Sequence, residues 1–303
     1  MSRQFGAGYS YHSGCGGSDR TMVGILTDRE LAARKVDHAL IGVLEPSGWR
    51  PEIRMPWSGI GACRVELPAP AWVVVGHSGR ALVVDALGHR EETIGTGAEA
   101  AARIGLLRGA RAIGGRAHAV GMERQAWRRE AAGQWTAIDA GLRLPPGDPA
   151  ITGLEAIDGF GPDELWAVGW RGEVWRLRDG SWRLLPSPTN LILTNLCCAG
   201  DGVVYVCGRR GLLLRAEGDR IAVIEQDLTR DDFWGIAWHE GSVWLATFYA
   251  LYRYLPREDR LLLVDEEDAP DSCYHLNAVE GRLWSFGPFE VAVRESGGWA
   301  AID

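Results

Sequence analysis

Residues 166–182 read W166-A-V-G169-W-R-G172-E-V-W175-R-L-R-D-G180-S-W182. A short apolar run ends on Gly169. Two variable residues and Gly172 follow, then a second apolar run through Trp175, an Asp179-Gly180 turn and a third run opening near Trp182. The same order returns in Y205-V-C-G208-R-R-G211-L-L-L-R-A-E-G-D-R and in W284-S-F-G287-P-F-E-V-A-V-R-E-S-G-G-W299. Shorter copies are V73-V-V-G76-H-S-G79, H118-A-V-G121 and W244-L-A-T247-F-Y-A250. The anchors fall at Gly76, Gly121, Gly169, Gly208, Thr247 and Gly287, with successive spacings of 45, 48, 39, 39 and 40 residues. A further apolar run precedes the anchors, and a glycine stands six residues before four of them, at Gly115, Gly202, Gly241 and Gly281. Four short strands in every ~40 residues form one blade of a β-propeller.

Six copies occupy residues 58–303, which leaves residues 1–57 as an irregular N-terminal blade of the same single domain. That segment holds T21-M-V-G24-I-L, then H38-A-L-I-G-V-L-E, then Gly48-Trp49, the glycine-tryptophan pair that also opens the last strand at Gly298-Trp299. The expectation is an all-β propeller of four-stranded blades, seven in number, with six as the alternative. An insertion, T27-D-R-E30-L-A-A-R-K35, predicts a short helix over residues 28–36, with Thr27 as cap and Glu30 three positions later. The stretch G97-A-E-A-A-A-R-I-G-L-L predicts a helical turn between blades.

With 303 residues, 46% hydrophobic and 24% charged, the chain has globular composition, and its net charge of -8 excludes the basic footprint that nucleic acids and anionic membranes require. No apolar run approaches the ~20 residues of a membrane span, and the N-terminus shows no leader pattern. The six cysteines, Cys15, Cys63, Cys197, Cys198, Cys207 and Cys273, show neither a CxxC pair nor a disulfide-framework spacing. Reduced thiols in a cytoplasmic protein follow, with Cys197 and Cys198 pointing to opposite faces of one strand.

Trp166, Trp244 and Trp284 recur three residues before an anchor, and Trp135, Trp182 and Trp299 recur at the start of the outermost strand. Recurrence at one repeat position marks packing residues between blades. The two ends of the disc differ. Strands a to d of each blade run outward from the central channel, so a–b and c–d turns share one end, and b–c and d–a connections share the other. The first set is short and turn-like, as at Asp201-Gly202 and Glu240-Gly241. The second is longer and varied. Variable loops on a rigid scaffold are where binding surfaces concentrate, and arginine and aromatic residues are enriched at interaction hot spots. The candidate partner-binding residues are therefore Arg124, Trp170, Arg171, Arg209, Arg210, Phe248, Tyr249 and Phe289, surrounded by Asp231, Asp232, Glu266 and Glu267.

Catalytic patterns are weak. No HExxH, no G-x-S-x-G elbow and no histidine pair at metal-ligand spacing is present, so neither metal nor cofactor is expected. His77 is the only histidine that the repeat register places on the variable face, and the acidic run Asp265–Asp268 reads as a solvated loop.

The W-x-V-G-x-x-G…G-x-W rhythm resembles bacterial β-propellers of the tectonin, YVTN and BNR-like type. The resemblance covers nearly the whole chain and implies architecture alone, because function does not follow fold in this superfamily. An acidic chain with one elaborate face and no catalytic motif reads as a non-catalytic protein-binding propeller. One concrete form is a cytoplasmic immunity protein, an antidote that binds and neutralises a toxin. The rival readings are a propeller lyase or glycosidase with a channel-centred site, and a sugar binder stacking on Trp170, Tyr249 and Phe289.

Overall fold

The computed structural model describes residues 5–145 and 148–302. They form seven antiparallel sheets, each built from one continuous segment of chain. The seven innermost strands are Tyr9–Gly16, Gly59–Val65, Leu107–Ile113, Leu154–Gly161, Leu193–Cys198, Gly235–His239 and His275–Val279. Each packs beside the next, and the first packs beside the last, so the ring closes around a channel. Helix is confined to short turns in the connections, as the ~40-residue rhythm predicts.

Closure exchanges no strand between the first and last blades, because the last blade is complete within residues 275–301. It depends on close approach instead. A Cβ on Gly14 would stand 2.2 Å from the Phe286 ring, and one on Gly16 would stand 2.1 Å from the Trp284 ring. Bare backbone at these two positions lets the first blade lie flat on the rings of the last. Hydrogen bonds then fix the register: Gly16 N–H donates to Asn277 Oδ1 at 2.9 Å, and Tyr11 N–H donates to the Pro288 carbonyl at 3.1 Å.

The first blade is the irregular one. Its outermost strand is split into Gly48–Trp49 and Ile53–Met55, which pair with opposite ends of Ala39–Glu45. Pro51 lies in the gap and has no N–H to give to a ladder. The insertion is helical over Arg29–Ala33 only, and its cap is Asp28 rather than Thr27. Thr27 is still paired in a strand with Ser10, whereas Asp28 receives the Glu30 and Leu31 N–H groups at 2.9 and 3.1 Å. The expected capping box therefore gives way to one carboxylate that caps two amides. The Gly97–Leu107 stretch supplies the expected turn, as Gly97–Glu99 and Ala101–Ile104.

The recurrent tryptophans are core residues. Trp166, Trp244 and Trp284 are at most 1% exposed, and Trp135, Trp182 and Trp299 are buried near the rim. Charged latches reinforce the blade contacts. Arg129 donates to both oxygens of Glu92 at 2.7 and 2.8 Å, and the same carboxylate accepts the Trp135 indole N–H at 3.1 Å. Burial pushes the Glu92 pKa up, but the Arg129 hydrogen bond and charge, with the Trp135 donor, more than offset this and hold it low. Glu266 repeats the device three blades away round the ring, accepting from Arg294 and from the Trp299 indole at 3.1 Å. All six cysteines are free, and Cys197 and Cys198 enter different blade-to-blade cores, as their strand alternation requires.

Candidate functional site

The inner wall of the channel carries a recurrent irregularity. In the first five blades the innermost strand shifts register near its start, between Tyr11 and Ser13, Gly59 and Gly61, Leu107 and Gly109, Leu154 and Ala156, and Leu193 and Asn195. The residue left over in each is His12, Ile60, Arg108, Glu155 or Thr194. A bulged residue leaves the pleat and is re-aimed, and all five line one cavity of about 250 Å³. Trp234, Tyr274 and His275 complete it from the sixth and seventh blades. Because these positions stand at the starts of the innermost strands, the cavity opens on the end that carries the b–c and d–a connections.

Three histidines meet in this cavity: His12, His77 and His275. The repeat register places only His77 on this end. That expectation is corrected, since a bulge turns His12 inward and the seventh blade brings His275 to the same wall. Burial lowers the pKa of all three. The neighbouring His77 depresses His12 further, and Arg108 depresses His77 against the opposing pull of Asp37 and Glu155. His275 is pushed down to about 4 by burial, then by Arg111 and His12. The imidazoles are therefore neutral at physiological pH.

The carboxylates of the channel are fully engaged. Glu155 accepts from Arg108 Nε at 3.1 and 3.2 Å and from the Trp170 indole at 2.6 Å. Asp158, deeper in the channel, accepts from Arg111 at 3.2 Å, Cys198 N–H at 3.0 Å and Gly159 N–H at 2.9 Å. Among the described residues, no group of three or more His, Cys, Asp or Glu is placed to hold a metal ion.

The loop residues expected from sequence divide into two sets. Arg124 is taken up internally. It donates to both Glu173 oxygens at 2.7 Å, and its guanidinium lies 5.2 Å from the Trp175 ring centroid. The Glu266 carboxylate is the rim latch described above. The remaining residues face outward or line the mouth. Arg171 and Arg210 occupy the same place in successive blades, each with a positive φ of 60° and 58° ahead of a glycine, so the turn points the arginine out. Arg209 and the Arg210 backbone both approach Asp232, the latter at 2.8 Å, with Asp231 exposed beside it. Tyr249 is 84% exposed. Its neighbour Phe248 stacks on Tyr274 at 4.7 Å and leans on Trp234, which joins the loop aromatics to the cavity wall. Phe289 is half exposed, with Arg29 of the inserted helix 5.0 Å above its ring. Glu267 is exposed. Exposed apolar side chains gather on the same end, including Leu106, Ile151 and Leu228.

Fold and site together define a seven-bladed propeller whose connections on one end surround a polar channel mouth. No family model matches the chain. It is 36% identical to the immune protein Tsi7 of Pseudomonas aeruginosa over 279 residues, covering 90% of each chain. The chain belongs to the Tsi7 family of immune proteins, and is a toxin-immunity protein with a β-propeller fold. Solved structures confirm the architecture: virginiamycin B lyase from Staphylococcus aureus superposes with a TM-score of 0.69 at 10% identity, covering 96% of this chain and 93% of that one. The WD40 propeller domain of Doa1 gives 0.66 at 10% identity, covering 98% and 93%. At such identities the likeness is one of fold.

Proposed function

We propose that this chain confers immunity in the cytoplasm by binding a toxin protein on its b–c and d–a end, stoichiometrically and without turnover. The observation that carries the reading is the family membership over nine-tenths of the chain. The distribution of side chains supports the choice of end. Arg171, Arg209 and Arg210 can form bidentate pairs with carboxylates, while Phe248, Tyr249 and Phe289 offer ring area to shallow pockets. Charge here accelerates and orients encounter, and the rings hold the complex. Trp170, Asp231, Asp232 and Glu267 stand around them.

A channel-centred enzyme, either a lyase or a glycosidase, remains the second reading because three neutral imidazoles converge in the cavity. Against it stands the engagement of Glu155 and Asp158 by Arg108 and Arg111, the reverse of the free carboxylate pair that glycoside hydrolysis uses. Titrating the captured toxin with purified chain separates the two. Relief that ends at an equimolar ratio supports binding, whereas relief at a small fraction of the toxin concentration requires turnover and overturns the reading.

A further inference from the structure

The channel mouth has hydrogen-bonding capacity that the chain itself does not use. Ser13 is 3% exposed, lines the cavity, and its hydroxyl has no partner. Among the described residues, the imidazoles of His12, His77 and His275 and the Tyr274 hydroxyl make no hydrogen bond within the chain either, although the His12 and Tyr274 rings pack at 6.0 Å. Arg111 bonds Asp158 through one terminal nitrogen and keeps its other N–H groups free. The fixed acceptors nearby are already engaged: Glu155 and Asp158 accept as described, and Asn195 gives its amide to the Trp234 carbonyl at 2.9 Å and accepts the Leu196 N–H at 2.9 Å. What is left over is a guanidinium that can only donate, two hydroxyls, and three imidazoles that can donate from either nitrogen once protonated. A cation entering here meets no free carboxylate. A group rich in lone pairs satisfies every unused donor.

We propose that the channel mouth is a binding socket for a small oxyanion, a carboxylate or phosphate group, held by Arg111, Ser13, Tyr274 and the imidazoles of His12, His77 and His275. A cavity of about 250 Å³ has room for one small organic acid, or ~8 waters at roughly 30 Å³ each. Without a ligand the imidazoles are neutral, because burial and the positive charges of Arg108 and Arg111 oppose protonation more than Asp37 and Glu155 favour it. An anion reverses that balance, so its binding draws in protons and strengthens as pH falls. The shared chemistry admits two sources, a free metabolite or an acidic side chain of the bound partner. The socket itself does not rest on the toxin reading, since the free protein suffices to test it.

Calorimetric titration of the purified full chain with citrate and with inorganic phosphate, at about pH 5.5 and about pH 8, is the experiment. The expected result is binding at the lower pH that weakens about tenfold per pH unit for each proton taken up, with heats that depend on buffer ionisation. Glycerol and spermidine should give none. His12→Gln with His77→Gln should weaken citrate binding and flatten its pH dependence. Arg111→Gln should weaken it at both pH values. In the unaltered protein, citrate should also shift the imidazole nitrogen resonances of His12 and His275, a readout independent of how the variants fold. Absence of binding by both anions, equal binding by glycerol or spermidine, or imidazole resonances that do not move would overturn the proposal. Loss of citrate binding in the complex with captured toxin would assign the anion to the partner, and retention would assign it to a free solute.

Discussion

At the rim, Glu92 accepts from Nε and Nη2 of Arg129 and from the indole of Trp135. At the channel mouth, Glu155 accepts Arg108 and the indole of Trp170 in much the same way. The difference lies in the surroundings. Arg129 is 1% exposed within packed blades, and the latch is complete. Glu155 faces a cavity where the Ser13 hydroxyl has no partner and where the Tyr274 ring and three imidazoles also stand. Identical residue types thus serve as structure where carboxylate, guanidinium and indole close on one another, and as a binding surface where the groups around them are left unpaired.

Breaking a rim latch should produce the largest loss of stability. Glu92→Ala leaves the Arg129 charge buried without its counter-ion, and about 3–5 kcal/mol of unfolding free energy should disappear in a denaturant titration. Replacing both partners by apolar residues, Glu92→Leu with Arg129→Met, should restore much of it. Trp166→Ala empties a fully buried site between blades and should cost a similar ~3–5 kcal/mol. An unchanged denaturation midpoint in the Glu92 variant would mean that the rim latch does not hold the ring together, and in the Trp166 variant that this ring is not a packing residue.

Acid separates the buried histidines from the arginine-held carboxylates by pH window. His118 and His275 have native pKa values pushed down to about 4, by burial first in both. Between the ordinary histidine pKa near ~6.5 and that value, the unfolded chain binds protons that the native chain does not. Stability therefore falls as pH falls through this window, by up to ~1.4 kcal/mol per pH unit for each histidine. Glu92 and Glu173 have native pKa values held below the ordinary carboxylate range, so the stability they contribute is lost only at lower pH still. His118→Gln should flatten the first window alone, as followed by thermal melts across pH.

Changes at the mouth should barely affect folding. Arg209→Glu with Arg210→Glu lies on exposed turns and should shift stability by no more than ~0.5 kcal/mol. It should slow association with the toxin and reduce the salt dependence of the rate. Tyr249→Ala should mainly raise the dissociation rate, since most of that ring is available to a partner. Trp170→Ala should also raise it, and it removes one donor from Glu155 as well.

The blades were legible because glycine anchors and tryptophans recur at fixed offsets, and repetition of that kind follows from stacking like units. The irregular first blade was visible through Gly24 and the Gly48-Trp49 pair even though Pro51 breaks its last strand. The channel was not legible. A bulge adds one residue to a strand without disturbing the apolar pattern around it, so nothing near His12 or Glu155 in the sequence tells which way the side chain turns. Arg124 shows the converse limit. It shares its loop position with exposed residues, yet the next blade supplies Glu173 and Trp175 to engage it. A position in a repeat specifies a location on the disc, whereas a partner from the neighbouring blade depends on pairing across ~40–50 residues of sequence.

The central claim is that the toxin sits on the end where the b–c and d–a connections surround the channel. Hydrogen–deuterium exchange of the chain, alone and saturated with captured toxin, tests it most directly. Protection is expected at residues 170–172, 209–211, 247–250 and 288–290 and at the starts of the innermost strands, with the Asp201-Gly202, Glu240-Gly241 and Glu280-Gly281 turns unchanged. Protection confined to those three turns, with the channel mouth exchanging as in the free protein, would contradict it.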